Sequence, residues 1–166
     1  MIIRPTVWRD RQGTAGAEMA LVTPLLLILM MGTFELGNYF MNEHILVKAV
    51  RDGARFAARQ NFSNYDACGG SPGGTVVVDT QALVMTGLLS GGTNKLRNWT
   101  ATTVSVTMDC TTMGNTIAGI YRGRATGAPR VTVTASVPYQ SVLASYGFTG
   151  IGLNLNASQN AAVMGI

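Results

Sequence analysis

One uncharged apolar segment near the N-terminus constrains the fold of this chain more than any other feature. No charged residue lies between Met19 and Phe34, and apolar residues continue past Glu35 to Met41. The run is about 23 residues long, and a helix needs roughly 20 to cross a bilayer. It is too long for the apolar region of a secretory signal peptide, and no small-residue cleavage site follows it. The sequence therefore predicts a helix whose membrane-spanning part ends at about residue 41.

Three residues in or beside this run are unusual for a simple anchor. Glu18 lies at its start, in the stretch RQGTAGAEMALVTP, and an ionisable group at a membrane segment is a functional candidate because it is expensive there. Pro24 removes a helical hydrogen bond, so it is either a tolerated kink or a weak point where the helix bends or melts. Glu35 either reaches the outer interface or pairs with a partner.

The segment that follows the apolar run has the pattern of an amphipathic helix. Apolar residues recur at helical spacing over NEHILVKAVRDGARFAARQ: Ile45, Leu46, Ala49, Val50, Ala54, Ala57 and Ala58. Basic residues occupy another face, as a solvated stripe or as a subunit or phospholipid contact: Lys48, Arg51, Arg55 and Arg59. Gly53 costs helix stability and so indicates close packing. One helix is thus predicted over residues 14–60, after a short leader at residues 1–13.

Residues 61–166 have the composition of a small, separate domain. DTQALVMTGLLSGG predicts a short helix with Asp79 as its N-cap and Gly91 or Gly92 past its end. Three later segments alternate apolar and polar residues, the period of half-buried strands. Their predicted inward residues are Val104, Val106 and Met108; Val131, Val133, Ala135 and Val137; and Ile151, Leu153, Leu155 and Ala157. The predicted class is α+β: a long N-terminal helix packed on a three-stranded antiparallel sheet, with one or two short helices.

The two cysteines, Cys68 and Cys110, both lie in this second part of the chain, and neither has neighbours with metal-ligand spacing. The predicted state is one disulfide between Cys68 and Cys110, which would indicate an oxidising compartment outside the cytoplasm. The alternative is a pair of unpaired, buried thiols.

The remaining sequence gives no support for catalysis or for nucleic-acid binding. The net charge is +4, but the cations lie mainly on the two sides of the apolar run and are not interleaved with aromatics. We find no nucleophile with a plausible base, no phosphate-binding loop and no metal-ligand spacing. No catalytic residue, metal or cofactor is therefore predicted. Three basic residues precede the run and four follow it, so the positive-inside rule leaves the orientation open.

The N-terminal third of the chain resembles a known family. Gly13 followed by four residues and Glu18 is similar to the processing motif of type IV prepilins. The ordered pieces AEMAL, TPLLL, FELG and AVRDGARFAA resemble the TadE-like family of minor pilins, or pseudopilins, of tight-adherence (Tad) pilus systems. The resemblance covers about residues 8–60.

This resemblance implies a processed, single-pass protein of the bacterial inner membrane. A prepilin peptidase would cut between Gly13 and Thr14, with the leader in the cytoplasm and residues 61–166 in the periplasm, or outside the cell within a pilus. The implied partners are this peptidase, other pilin or pseudopilin subunits, the inner-membrane assembly platform and the lipid bilayer. Two other functions remain open: a permanently anchored envelope protein whose outer domain binds another component, and an exported adhesin.

Cleavage after Gly13 would also explain Glu18. The new amine at Thr14 would lie one helical turn from the carboxylate, at a helix end that disfavours positive charge. Opposite charges attract strongly in apolar surroundings. We hypothesise that Glu18 pairs with the Thr14 amine of its own or of a neighbouring subunit and so sets the axial register. The alternative is that Glu18 only interacts with the positive end of the helix dipole and marks the interface.

Overall fold

The computed structural model describes residues 12–110, 119–124, 127–147 and 152–165. Most of the predicted leader and the predicted inward residue Ile151 lie outside these residues. Helix α1 (Gln12–Ala58) is followed by helix α2 (Val76–Thr86) and by strands β1 (Val104–Asp109), β2 (Arg130–Pro138) and β3 (Asn154–Ala162). Short 3-10 turns lie between these elements, at Phe62–Tyr65, Ala101–Thr103, Gly119–Tyr121 and Leu143–Tyr146.

The three strands form one antiparallel sheet in the order β1-β2-β3. This confirms the predicted α+β class. Alternation places the valines of β1 and β2 on the inner face, which packs against α1, and it leaves the polar residues of the same strands on the outer face. Leu155 is the buried residue of β3, whereas Leu153 precedes the strand and is 47% exposed. The inward position predicted for Leu153 is therefore wrong, because β3 begins one residue later.

The core lies between the second half of α1, the sheet and α2. The predicted apolar stripe of α1 is buried, apart from the partly buried Ile45. Gly53 allows α2 to approach closely, because a Cβ added there would lie 2.3 Å from Val84 Cγ2. Tyr65 is fully buried and donates a hydrogen bond to the carbonyl of Ala57 near the end of α1. Burial raises the pKa of Tyr65 to about 12.

The ends of α2 differ from those predicted. The helix begins three residues before Asp79, with Thr75 at the N-cap position, and the Thr75 hydroxyl donates to Asp79 Oδ2 at 2.6 Å. Asp79 thus lies in the first turn, where a carboxylate is favoured by the helix dipole. The C-cap is Gly87, with φ of 86°, and not Gly91 or Gly92. Three glycines near this end are compatible with a left-handed cap, and the sequence does not distinguish the one that the chain uses.

Candidate membrane and assembly segment

The first half of α1 has no protein around it. We call residues 14–34 the span segment; every one of its side chains is exposed. The helix to which it belongs is long and apolar enough to cross a membrane, judged by length and composition. A helix that is apolar on all sides is stable in an apolar environment. The span segment therefore has the properties of a single-pass membrane anchor.

The predicted processing residues lie at the start of this helix. Gly13 and Thr14 belong to α1, and Glu18 is one turn further along and exposed. The amine that cleavage would create is not present in the uncleaved chain. Cleavage after Gly13 and the pairing of Glu18 with Thr14 therefore stay predictions.

Pro24 lies within α1, which continues through it without a break in the helical assignment. The preceding Thr23 hydroxyl donates to the carbonyl of Met19 at 2.6 Å, one turn back. Such back-bonding by threonine tends to bend helices, and proline cannot donate a backbone hydrogen bond of its own. The structure therefore concentrates two weakening features in one turn, and both predicted roles of Pro24 remain open.

Glu35 marks the point where residues 61–166, which we name the outer domain, first contact the exposed half of α1. The Tyr139 hydroxyl donates to Glu35 Oε1 at 2.8 Å, and the backbone N–H of Leu143 donates to Oε2 at 3.2 Å. Asn38 Nδ2 donates to the Tyr139 hydroxyl at 2.8 Å. We call Glu35, Asn38, Tyr139 and Leu143 the Glu35 junction. Within one chain, the carboxylate thus joins α1 to the turn between β2 and β3.

Aromatic packing supports the same junction. The rings of Tyr39 and Tyr139 meet edge to face, with centroids 5.2 Å apart, a favourable geometry. Burial raises the pKa of Tyr139, and the hydrogen bond to Glu35 and the negative charge of that carboxylate raise it further, although the bond from Asn38 opposes the shift. Tyr139 therefore stays protonated and acts as a donor at neutral pH. No sequence pattern points to Tyr139, since its partner Glu35 is 104 residues away.

The two cysteines form a disulfide, with their Cα atoms 5.6 Å apart. This confirms the predicted pairing of Cys68 with Cys110. The bond ties the segment after α1 to the end of β1, where the Met108 N–H also donates to the Gly70 carbonyl at 2.8 Å. A second link joins that segment to the connection before β2: Arg124 pairs with Asp66 at 3.1 Å.

The described residues offer no positive sign of catalysis. Among the described residues, no group of three or more His, Cys, Asp or Glu side chains could hold a metal ion. His44 is exposed on α1. The absence of an enzymatic function and of a cofactor stays a prediction.

Comparison with known proteins gives one match, and it lies within helix α1. The chain matches none of the curated proteins and none of the solved structures. Residues 13–55 match the model of the family described as TadE-like protein. The match covers the span segment, the Glu35 side of the junction and most of the buried half of α1. It confirms the predicted resemblance over residues 13–55, where the chain is similar to TadE-like proteins.

Proposed function

We propose that this chain is a pilin-like subunit of a Tad pilus system, held in the inner membrane by the span segment until it enters an assembly. One observation carries the proposal: the first half of α1 is exposed on every side, whereas the second half belongs to the core of a folded domain. A subunit of this shape presents an apolar helix that can be surrounded by lipid before assembly and by helices of other subunits afterwards.

The Glu35 junction supports an end for the membrane segment at Phe34, earlier than the boundary near residue 41 that hydropathy suggests. Irregular backbone exposed to lipid does not occur inside the hydrocarbon layer. The turn that carries Leu143 reaches Glu35, so the hydrocarbon must end at or before that residue. Residues 14–34 form about 31 Å of helix, which matches a hydrocarbon layer of about 30 Å.

With the membrane segment at residues 14–34, Glu18 would lie inside the hydrocarbon layer and would require a partner for its charge. If the inner boundary lies at Thr14, the Cα atom of Glu18 lies about 6 Å inside it. An ionised group at that depth is costly unless it is paired. An amine created at Thr14 by a prepilin peptidase would be one turn away. The family match beginning at residue 13 is compatible with processing at this position.

The disulfide supports a periplasmic position for residues 61–166. Disulfides persist in oxidising compartments and are rare in the cytoplasm. With the outer domain in the periplasm, residues 1–13 lie in the cytoplasm, where a prepilin peptidase and the assembly platform would act. The outer domain would then be available to other pilin or pseudopilin subunits.

N-terminal sequencing of the chain purified from membranes tests the proposal. A start at Thr14 is the expected result, together with recovery of the chain in sheared pilus fractions. A start at Met1 in a chain that stays in the membrane would favour a permanent anchor. Release by surface shearing without other pilus subunits would favour an adhesin.

The role of Glu18 needs a matched pair of variants. Glu18→Ala should still be cleaved but should fail to enter pili, because the Thr14 amine would lose its partner. Glu43→Ala removes an acid from the same helix beyond the Glu35 junction and should assemble normally. Normal assembly of Glu18→Ala would exclude the pairing role.

A further inference from the structure

The two edges of the sheet differ in how their outward backbone groups are bonded. At the β1 edge, the Met108 N–H donates to the Gly70 carbonyl at 2.8 Å, and Gln81 Nε2 donates to the Val104 carbonyl at 2.9 Å. The disulfide at Cys110 fixes the segment that carries Gly70 to the same end of β1. The chain itself therefore occupies both ends of the β1 edge.

The backbone of β3 alternates between facing β2 and facing away from the sheet. The two strands pair one residue to one residue along their whole register. The Tyr139 N–H donates to the Leu153 carbonyl at 2.8 Å, and the Val163 N–H donates to the Pro129 carbonyl at 2.9 Å. Because facing and non-facing residues alternate in an antiparallel pair, the odd-numbered residues of β3 face β2. The even-numbered residues direct their N–H and C=O groups outward: Asn154, Asn156, Ser158, Asn160 and Ala162.

We call these outward backbone groups the β3 edge. Within the described part of the chain, no other backbone group bonds them. Two of the five carbonyls accept from amide side chains of the strand itself. Asn156 Nδ2 donates to the Asn154 carbonyl at 3.4 Å, and Gln159 Nε2 donates to the Asn160 carbonyl at 3.1 Å. The five outward N–H groups are thus available to another strand.

The β3 edge ends where helix α1 ends. Beyond the strand, the Met164 N–H donates to the Ala58 carbonyl at 2.8 Å, which is the outward direction expected of an even-numbered residue. The strand itself has 9 residues, so the edge is about 30 Å long.

The features that usually protect an exposed edge from pairing are missing in β3. Natural edge strands carry charged residues, proline or a bulge. The sequence NLNASQNAA has no charge and no proline, and the register shows no bulge. On the inner face, the residues after Leu155 are only partly buried, whereas the valines of β2 are buried. A further strand with apolar inward residues would cover these partly buried positions: Ala157, Gln159 and Ala161.

A second copy of the chain does not fit this edge through its own β3. Antiparallel pairing of two β3 strands into one sheet requires a twofold axis perpendicular to that sheet. Helix α1 packs on the face of the sheet, so its axis lies along that face, and the twofold axis would point the two α1 helices in opposite directions. Two such span segments cannot enter one bilayer from the same side. The β1 edge of a second copy is already occupied by its own chain.

We propose that the β3 edge binds an extended segment of a different pilus subunit, which adds a fourth strand to the sheet. Main-chain hydrogen bonds supply affinity in this mode of recognition, and alternate side chains supply specificity. Apolar side chains of the segment would lie over Ala157 and Ala161. Uncharged polar side chains would lie beside the Asn and Ser side chains of the outer face. That the partner is a subunit rests on the proposed function.

Amide hydrogen exchange of the full chain in detergent tests the β3 edge directly. The outward amides of Asn156, Ser158 and Asn160 should exchange rapidly, whereas those of Ala157 and Gln159 should be protected by β2. A capped peptide with the β2 sequence VTVTASV is the probe, because it alternates apolar and hydroxyl residues without charge. At millimolar concentration it should slow exchange at the three outward amides. The control peptide VTPTPSV should not, because proline prevents strand pairing.

Ser158→Pro blocks the edge with little disturbance of the sheet. It removes an N–H that points away from β2, and proline is tolerated on edge strands. Loss of that hydrogen bond should weaken peptide binding about tenfold, and the variant should not be recovered in sheared pili. Ser158→Ala is the matched control and should behave as the unmodified chain. Thermal unfolding checks that both variants are folded.

A second pair of variants tests the edge without changing the backbone. Asn156→Lys with Asn160→Lys places two charges on the β3 edge, which opposes pairing, and should reproduce the effect of Ser158→Pro. Ser105→Lys with Thr107→Lys adds the same charges to the exposed outer face of β1. This control should bind the peptide and enter pili normally.

Three results would overturn the inference. Protection of the outward amides in the chain alone would mean that the edge is already paired. Equal peptide binding by Ser158→Pro and the unmodified chain would place binding elsewhere. Normal pilus entry of both edge-blocking variants, with a mature start at Thr14, would exclude strand addition and leave the proposed function standing. A start at Met1 with the expected peptide binding would contradict the proposed function, and with it the subunit as partner, but not the β3 edge.

Discussion

The two halves of helix α1 show how one continuous helix is built for two environments. The span segment, residues 14–34, carries large apolar side chains on all sides, and all of them are exposed. The core segment, residues 45–58, carries small apolar residues on one stripe and cations on another, and its stripe is buried against the sheet and α2. Small side chains allow close packing of neighbouring elements, whereas large ones all round favour a surrounding apolar medium.

The junction between the halves is polar. Glu35, Asn38 and Tyr139 form a hydrogen-bonded group where the exposed half of the helix ends and the outer domain begins. A change in the core segment should therefore weaken the outer domain without altering membrane insertion. A change in the span segment should do the reverse.

The largest expected effect on the outer domain comes from the disulfide. The double variant Cys68→Ala with Cys110→Ala opens a loop of sequence separation 42, and its free energy of unfolding should fall by about 4 kcal/mol. Thermal unfolding of the purified full chain measures this, and reductant should lower the stability of the unmodified chain alone. Extraction from membranes should not change. Equal stability of variant and parent would show that the bond does not support the domain.

Gly53 tests the close packing of the core segment. Gly53→Ala places a Cβ against Val84 Cγ2. This overpacking should lower the free energy of unfolding by about 1–3 kcal/mol. The loss should exceed the gain from the higher helix propensity of alanine. Val84→Ala should offset part of that cost in the double variant, as measured by thermal unfolding. Gly37→Ala is the control, because no atom lies within 4 Å of its added Cβ. Equal effects at the two glycines would contradict the contact between α1 and α2.

Tyr139→Phe probes the junction with a smaller effect. The variant keeps the ring packing on Tyr39 but loses the hydroxyl, which should cost about 1 kcal/mol. Amide hydrogen exchange at Leu143 should become faster, because the turn would be held less firmly against Glu35. Tyr121→Phe is the control, and it should leave exchange at Leu143 unchanged. Unchanged exchange in Tyr139→Phe would show that the junction does not hold the turn.

The smallest expected effect is a loss of stability through ionisation of Tyr65, which is absent at neutral pH and appears at high pH. The pKa of Tyr65 is raised to about 12 in the folded chain by burial, against about 10 when unfolded. Stability from this residue is full below pH 10 and is lost as the pH rises toward 12, because the unfolded state releases the proton first. Denaturant unfolding between pH 9 and 12 should show the loss. Tyr65→Phe should flatten that profile, and an equally steep profile would assign the loss to other groups.

Periodicity predicted most of the fold because the relevant signals are local. The apolar run, the stripe of the core segment and the alternation of β1 and β2 each report the environment of neighbouring residues. The predicted ends of α2 were wrong because the sequence offers more than one capping residue at each end of the helix. These are Thr75 or Asp79 at the start, and Gly87 or the later glycines at the end.

Apart from the pair of cysteines, candidate site residues were predicted together only where they are near in sequence. Gly13, Thr14 and Glu18 form a contiguous motif and were identified together. Tyr139 was missed because its contact with Glu35 is formed by tertiary folding, and no sequence pattern links the two.

One matched substitution tests the division of α1 most directly. Leu27 lies in the span segment and is 48% exposed, whereas Leu46 lies in the core segment and is fully buried. In detergent-purified full chain, Leu46→Ala should lower the free energy of unfolding of the outer domain by about 2–5 kcal/mol. Leu27→Ala should change it by less than about 0.5 kcal/mol. Equal losses would contradict the account, because they would mean that both halves of the helix belong to the folded domain.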